Sequence, residues 1–249
     1  MDKLDNNKPV DAAYLDFRKA FDTVPHKRLI SKLRGYGVEG RLLDWIQDFL
    51  SDRSQYVSVN GHCSESVPVT SGVPQGSVLG PTLFIYFIND LPITPEHMGK
   101  IFADDTKSWN EILSIIDQSN MQSGINSLVE WSVKWMLAFN GDKCNMLHLG
   151  KNNPKLSYTI KDGDITKTLN ETTSEKDLGV IVDSQLNFDE HITSVIKKSR
   201  KISGMLMKNI CHKSKEIMIP LYKATVRPHL EYANAVWAPY KRKDIDKLE

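Results

Sequence analysis

Three aspartates in this chain have the residue type and the setting of metal-binding carboxylates. Asp104 and Asp105 directly follow the apolar residues 101–103, and Asp16 closes a short apolar run near the start of the chain. Two adjacent carboxylates repel each other unless positive charge lies nearby. Hard divalent cations such as Mg²⁺ bind carboxylate oxygens. A surface turn that happens to hold two acids has the same local pattern, so the pair needs partners before it indicates a site.

The apolar runs before these acids predict two strands that must position them. Neighbouring side chains on a strand point to opposite faces, so only one carboxylate of the pair 104–105 can face a given site. If the two strands pair, Asp16 and Asp104 converge. Carboxylates around two Mg²⁺ ions about 3.5–4 Å apart form the site used in phosphoryl and nucleotidyl transfer. The sequence does not establish that the strands are neighbours.

The remaining pattern alternates helical and extended segments. Helices are predicted from Pro25 and over residues 39–50, followed by a hairpin with an Asn60-Gly61 turn and by a loop of small residues, 71–77. An apolar helix over 78–91, a long amphipathic helix over 111–137 and short strands over 144–149, 156–160 and 177–182 come next. From residue 189 the pattern is helical and basic. The order predicts an α+β fold with a helical appendage.

The composition limits the class of protein and the kind of partner, but it does not identify a function. The 249 residues are 40% hydrophobic and 25% charged, as in globular proteins, and the longest apolar run is too short to span a bilayer. The three cysteines are widely spaced, which favours a reducing, intracellular setting. From residue 195 to the end, 13 Lys or Arg stand against 5 Asp or Glu. This basic segment, together with a second one over residues 18–34, suits a polyanionic partner or a solvated helix face.

Three longer motifs carry a family resemblance. The stretches 14–26 (YLDFRKAFDTVPH), 70–81 (TSGVPQGSVLGP) and 102–107 (FADDTK) occur in the order and spacing of the first three palm motifs of reverse transcriptases encoded by non-LTR (LINE-type) retrotransposons. Trp135 with Asn140 and Lys143-Cys144 resembles the fourth palm motif. Residues 178–191 resemble the primer grip, and residues 222–237 resemble the thumb-like region.

The resemblance implies roles for named residues. Asp16, Asp104 and Asp105 would be the catalytic aspartates that bind two Mg²⁺ ions, with Mn²⁺ as an alternative, and Lys143 would be the general acid for the departing pyrophosphate. Phe21 would be the steric gate against a 2′-hydroxyl, although a core aromatic has the same pattern. The other implied contacts are the nucleotide and template loop, Gly72, Pro74, Gln75 and Gly76, and the primer–duplex contacts, Gly179, Lys197, Lys198, Arg200 and Lys201. Asp22 matches the family pattern, and we expect it to cap the next turn.

The implied fold is a right-hand polymerase palm, an antiparallel sheet with packed helices, followed by a mostly helical thumb-like region. We expect residues 1–188 to form the palm with partial fingers elements, and residues 189–249 the thumb-like region. Fifteen residues precede Asp16, so the fingers are largely missing. The sequence therefore predicts one part of a longer polyprotein, and little activity for the 249 residues alone.

The implied activity is RNA-directed DNA polymerisation onto a primer 3′-hydroxyl by two-metal catalysis. Its partners would be an RNA template, a DNA primer and deoxynucleoside triphosphates, with no membrane. A truncated, catalytically incompetent retrotransposon remnant that at most binds nucleic acid is the alternative. A metal-dependent nuclease is a third hypothesis, and it leaves the 71–77 loop without a role. The oligomeric state is not determined by the sequence.

Overall fold

The computed structural model describes residues 8–93 and 98–248. These residues fall into two compact units. The first comprises the described residues up to His148 together with Asn152–Glu171, and the second comprises Leu149–Lys151 and the described residues from Thr172 onward. The division at residue 188 between palm and thumb-like regions remains a prediction.

The chain alternates strands and helices, so the predicted α+β class is confirmed. The strands are β1 (Val10–Leu15), β2 (Ser54–Gln55), β3 (Ser58–Val59), β4 (His62–Cys63), β5 (Val67–Pro68), β6 (Met98–Phe102), β7 (Asp105–Glu111), β8 (Asn145–Leu149), β9 (Thr159–Asp162), β10 (Ile165–Thr168), β11 (Asn170–Thr172), β12 (Ser174–Asp177) and β13 (Val180–Asp183). The helices are α1 (Ala20–Thr23), α2 (His26–Gly35), α3 (Gly40–Leu50), α4 (Leu79–Ile88), α5 (Ile115–Trp135), α6 (Asp189–Asn209), α7 (Lys215–Thr225), α8 (Arg227–Glu231), α9 (Asn234–Trp237) and α10 (Arg242–Leu248).

Among the described residues, five strands form the main sheet in the order β11-β8-β1-β7-β6. β1 is its central strand, and its apolar composition follows from burial on both faces, with Ala12 and Ala13 fully buried. β1 pairs with β7 in antiparallel orientation, from Val10 opposite Glu111 to Leu15 opposite Thr106. β6 pairs with β7 as a hairpin, with Phe102 opposite Asp105.

Helix α5 begins later than the sequence predicts. The helical pattern was expected from residue 111, but β7 continues to Glu111, and α5 begins after Ser114, whose side chain forms a capping box with Asp117. Ile115 and Ile116 belong to the apolar positions of the predicted amphipathic helix, but in the structure they are 77% and 71% exposed. The middle of the helix is buried as predicted: Ile125 and Leu128 are fully buried, and the helix packs against β7 and β9.

A fully buried carboxylate lies within the central strand. Asp11 has no exposed surface, and it accepts hydrogen bonds from His148 Nδ1 at 2.6 Å, Asn153 Nδ2 at 2.7 Å and Tyr158 Oη at 2.6 Å. Burial and the hydrogen bond to Asp11 raise the pKa of Tyr158. Buried charge is tolerated when several donors satisfy it. The network therefore anchors β1 five residues before Asp16.

One residue of the 18–34 basic segment is in the core. Lys32 on α2 is buried, its ammonium group contacts Asp90, and it lies 4.5 Å and 3.8 Å from the ring centroids of Trp131 and Trp135. Burial lowers the pKa of Lys32, and the contact with Asp90 opposes that shift. Cation–π contacts and the carboxylate replace the water that the ammonium group loses. Lys32 is thus structural, and it fits neither a surface for a polyanionic partner nor a solvated helix face, the two interpretations of this basic segment.

The second unit has its own small core. The hairpin β12–β13 packs on α6, and Val180, Phe188, Ile192, Ile196 and Trp237 are buried together. The sequence predicts a continuous strand over residues 177–182, which is wrong. The structure has a turn at Leu178 and Gly179, with φ of 44° and 88°, between the two strands. No helix among the described residues is long and apolar enough to cross a membrane.

We expect the stability of the chain to fall as pH drops below about 6.5, the ordinary histidine pKa, because of His191. This ring is buried, accepts a hydrogen bond from the Ile181 N–H at 3.2 Å, and contacts Trp237, and burial lowers its pKa. The unfolded chain then binds a proton more readily than the folded chain, so the stabilisation present above the unfolded pKa is lost as pH falls through the lower, folded pKa.

Urea unfolding followed by circular dichroism at several pH values measures this dependence. His191→Gln should flatten it, whereas His212→Gln, a change at an exposed histidine, should leave it intact. An unchanged slope in His191→Gln would show that His191 does not contribute.

Candidate functional site

Asp16 lies at the end of the central strand, as the sequence predicts. Its backbone oxygen accepts a hydrogen bond from the Asn140 N–H at 2.7 Å, and the next residue, Phe17, stacks on Phe139 with ring centroids 4.3 Å apart. The N–H of Arg18 bonds to the carbonyl of Ala138 at 2.8 Å. The turn that follows α5 therefore fixes the backbone on both sides of the Asp16 carboxylate.

Asp104 and Asp105 lie at the turn of the β6–β7 hairpin rather than at the end of an isolated strand. β6 ends at Phe102, Ala103 adopts a left-handed conformation with φ of 52°, and β7 begins at Asp105. Because Leu15 pairs with Thr106, the end of β1 adjoins this turn. Asp104 is partly exposed and Asp105 is exposed. The strand adjacency that the sequence left open is therefore present.

Lys143 is positioned by the same turn that holds Asp16. Its N–H and that of Cys144 both bond to the carbonyl of Asn140, and its ammonium group lies 3.5 Å from Asp16 Oδ2. The Lys143 side chain is 68% exposed, so it can move. Cys144 is buried, and burial raises the pKa of its thiol to about 11. A thiol with so high a pKa is a poor nucleophile at neutral pH, so Cys144 is a packing residue here.

The carboxylates at this edge suit a divalent cation by donor chemistry. Asp16 already has a cationic group beside it, and Asp104 lies at the adjoining turn. Across the part of the chain that the structure describes, no group of three or more His, Cys, Asp or Glu side chains is close enough to hold a metal ion. The assignment of Asp16, Asp104 and Asp105 as metal ligands stays a prediction.

The 71–77 loop is bound to the segment that follows Asp16. The N–H of Val73 donates to the carbonyl of Phe21 at 2.7 Å, the N–H of Gly72 to that of Val24 at 2.8 Å, and Ser71 Oγ to that of Asp22 at 2.9 Å. His26 Nε2 donates in turn to the carbonyl of Gly72 at 2.7 Å. Two segments about 50 residues apart in sequence therefore form one unit of structure beside the acids.

Glycine at position 72 is required by both space and backbone conformation. Its φ is 92°, and a Cβ there would lie 2.7 Å from the carbonyl oxygen of Asp22. Gly76 has a similar φ of 79° with no atom within 4 Å of a Cβ. Pro74 is packed closely as well, because a Cβ on Gly80 would lie 2.3 Å from its carbonyl oxygen. Gly76 and Gln75 remain on the exposed side of the loop.

Phe21 is in part a core residue. Its ring stacks on Phe84 with centroids 4.4 Å apart and packs at the margin of the main core. It stays partly exposed, so the gate role remains a prediction. Asp22 is not the cap of the next helix: the residue at the N-cap of α2 is Pro25. The Asp22 carboxylate instead accepts a hydrogen bond from Gln75 Nε2 at 2.9 Å. Both residues lie in the motifs that carry the family resemblance, but nothing in the sequence indicates their contact.

The predicted primer contacts lie in the second unit. Gly179 forms the β12–β13 turn, where a Cβ would lie 3.3 Å from the ring of Tyr232, and Tyr232 Oη donates to the carbonyl of Leu178 at 2.8 Å. Tyr232 is in turn held by Trp237, whose Nε1 donates to its carbonyl at 2.7 Å. Four of the five basic residues of α6 are the predicted duplex contacts, and all four are exposed: Lys197, Lys198, Arg200 and Lys201.

Comparison with known proteins identifies a family and individual proteins that are similar to this chain in sequence. The family model described as reverse transcriptase (RNA-dependent DNA polymerase) matches residues 4–205. The RNA-directed DNA polymerase from mobile element jockey of Drosophila funebris is 31% identical over 265 residues, and that of Drosophila melanogaster is 27% identical over 260 residues. Each match covers 100% of this chain and 28% of the relative. The chain thus spans little more than a quarter of their length.

A solved structure shares the fold. Telomerase from Candida tropicalis, determined in complex with the TWJ fragment of telomeric RNA, matches with a TM-score of 0.52 at 9% sequence identity. The match covers 93% of this chain and 39% of the telomerase chain.

We expect Gly72→Ala to destabilise the chain by roughly 2–3 kcal/mol, because it combines a left-handed backbone with a backbone clash. Gly76→Ala is the matched control: it has a similar φ but open space, and we expect a loss of about 1 kcal/mol. Urea unfolding of both variants measures the difference. Equal losses would mean that the contact of Gly72 with Asp22 is relieved at little cost.

Proposed function

Because the chain belongs to the reverse transcriptase (RNA-dependent DNA polymerase) family, as found in non-LTR retrotransposons, we propose that it carries the polymerising centre of a retrotransposon polyprotein. In this proposal residues 1–188 are the palm and residues 189–249 the thumb-like region. The reaction joins a deoxynucleotide to a primer 3′-hydroxyl on an RNA template. Since the chain spans 28% of its relatives' length, the activity is proposed for the longer polypeptide.

One observation carries this proposal. The β1–β7 register brings the end of β1 beside the β6–β7 turn, so Asp16 and Asp104, far apart in sequence, lie at the same end of the sheet. The 71–77 loop is hydrogen-bonded to the segment directly after Asp16. Carboxylates next to a loop of small residues suit a polyphosphate substrate that needs both counter-charge and close backbone approach.

Each candidate residue of the first unit would have its own role in the reaction. Asp16 and Asp104, with Asp105 beside them, would hold Mg²⁺. When bound, Mg²⁺ offsets phosphate charge and lowers the pKa of a coordinated hydroxyl. Lys143 lies 3.5 Å from Asp16 Oδ2, and its exposed ammonium group can donate a proton to the departing pyrophosphate. Phe21 would limit space beside the sugar, while the 71–77 loop, with Gly72, Pro74, Gln75 and Gly76, would support template and nucleotide.

The second unit would hold the duplex. The Leu178–Gly179 turn is exposed and is held by Tyr232, so it would offer a fixed backbone to a primer strand. The exposed basic residues of α6 would contact phosphates without reading sequence.

We expect Asp104→Ala to abolish primer extension, because it removes a carboxylate from the catalytic edge while leaving the hairpin turn in place. The test is deoxynucleotide incorporation on an RNA template with Mg²⁺, in the chain carrying its native upstream sequence. Asp164→Ala, which removes an exposed carboxylate from the β9–β10 turn, is the control and should remain active. Extension by Asp104→Ala at the control's rate would refute the assignment.

We expect the double change Lys197→Ala and Lys201→Ala, one turn apart on α6, to weaken binding of an RNA–DNA duplex about equally for all sequences. The slope of log affinity against log salt should fall by roughly 2, one unit for each lost phosphate contact. Fluorescence anisotropy at several salt concentrations measures both.

The matched control removes two exposed lysines from the first unit, Lys155→Ala with Lys161→Ala. An equal fall in slope for the control would refute a specific role for α6. Salt-dependent duplex binding without primer extension, measured on the longer polypeptide that contains this chain, would favour the alternative, a remnant that only binds nucleic acid.

A further inference from the structure

We propose that Asp22 is a positioning residue that fixes the orientation of the Gln75 side-chain amide, so that Gln75 offers its carbonyl oxygen to the incoming nucleotide. This inference rests on the proposed function, because it assumes that the 71–77 loop binds the nucleotide. It assigns a role to a residue for which the sequence motifs suggest no chemistry.

The orientation follows from the chemistry of the contact. Gln75 Nε2 lies 2.9 Å from Asp22 Oδ1. An ionised carboxylate has only acceptor atoms, so the glutamine must turn its NH₂ group, the donor, towards Asp22. The oxygen Oε1 is then directed away from Asp22. Without a charged acceptor, an amide on an exposed loop can rotate by 180° and present either group.

The hydrogen bonds around the pair reduce the conformational entropy that is lost when this contact forms. Besides the bond from His26 to Gly72, three hydrogen bonds join the two segments: from Ser71 Oγ to the Asp22 carbonyl, from the Gly72 N–H to Val24, and from the Val73 N–H to Phe21. Both side chains are exposed, and a lone exposed hydrogen bond would gain little. Here the main chain already holds the partners at bonding distance. Changes to the Asp22 side chain also leave its carbonyl, and hence the bond from Ser71, in place.

The pair links the two predicted nucleotide contacts. Asp22 directly follows Phe21, whose carbonyl accepts the bond from Val73, and Gln75 lies two residues after Val73. A nucleotide that touches Phe21 on one side and the loop on the other would meet an acceptor oxygen at a fixed place. Asp22 itself need not touch the nucleotide, so its effect should pass through Gln75.

A double-mutant cycle tests that route. We expect Asp22→Ala to raise KM for the deoxynucleotide roughly tenfold, about the effect of losing one charge-assisted hydrogen bond, with kcat nearly unchanged, since this contact serves binding. Gln75→Ala should have a similar effect, and adding Asp22→Ala to it should change nothing further. Additive effects, or a fall in kcat at constant KM, would overturn the proposal. Asp44→Ala, at an exposed acid on α3, is the control for lost charge.

Exchanging donor and acceptor provides a rescue test. Gln75→Glu places two carboxylates together and should raise KM at least as much as Asp22→Ala. Adding Asp22→Asn should restore KM to within about threefold of wild type, because the asparagine amide donates to one oxygen of the new carboxylate and leaves the other facing the nucleotide. Failure of the double variant to recover, with a wild-type unfolding midpoint, would overturn the proposal.

A measurement without catalysis separates this proposal from the proposed function. The side-chain amide protons of Gln75, assigned by their absence in Gln75→Ala, should exchange slowly in nitrogen-15 NMR spectra and lose that protection in Asp22→Ala. Unprotected protons in wild type would refute the pair even in an active polymerase. Protected protons, together with no primer extension by the longer polypeptide that contains this chain, would leave the pair intact and refute the polymerase function.

Discussion

The antiparallel pairing of β1 with β7 is the interaction on which the rest of the candidate site depends. It places two acids separated by almost ninety residues at the same end of the sheet, one directly after β1 and the other in the β6–β7 turn. The register also decides which side chains of β1 face which side of the sheet, because a slip by one residue would turn the whole set to the other face. Such a slip is costly because β1 is buried on both faces, as the complete burial of the neighbouring residues Ala12 and Ala13 shows.

Buried polar contacts reinforce that register. Asp11 has three donors around it within 2.7 Å, drawn from β8 and from the segment that follows it. Shifting β1 would strand this carboxylate among apolar residues, which is far more costly than losing an ordinary contact. Lys32 is a second case, in which aromatic rings and Asp90 stand in for water. In both cases the buried charged group is satisfied only when its partners are in place, so it favours one packing arrangement over others.

The second constraint is the close contact between the 71–77 loop and the segment that follows Asp16. Only a glycine at position 72 allows the backbones to approach, because a side chain would meet the Asp22 carbonyl. That approach is what brings Gln75 within reach of Asp22 and Val73 within reach of Phe21. A loop of small residues thus has a structural reason for its composition in addition to any contact with a ligand.

The sequence by itself determined the family, the α+β class, the order of most elements and the candidate residues, because each depends on local pattern or on motifs that are continuous in the chain. It located Asp16 at a strand end and the acids 104–105 next to a strand. It misplaced the start of α5, which β7 precedes, and it missed the turn at Leu178–Gly179, because hydrophobic periodicity does not show where one short element gives way to another.

Only the tertiary structure decided which distant residues meet. The contact of Lys143 with Asp16, the pairing of Asp22 with Gln75, and the burial of Lys32 all depend on non-local packing. Charge and residue type indicate what such groups can bind. They do not indicate where the partner lies, because strand register and loop closure are set by the free energy of the whole core rather than by any single segment.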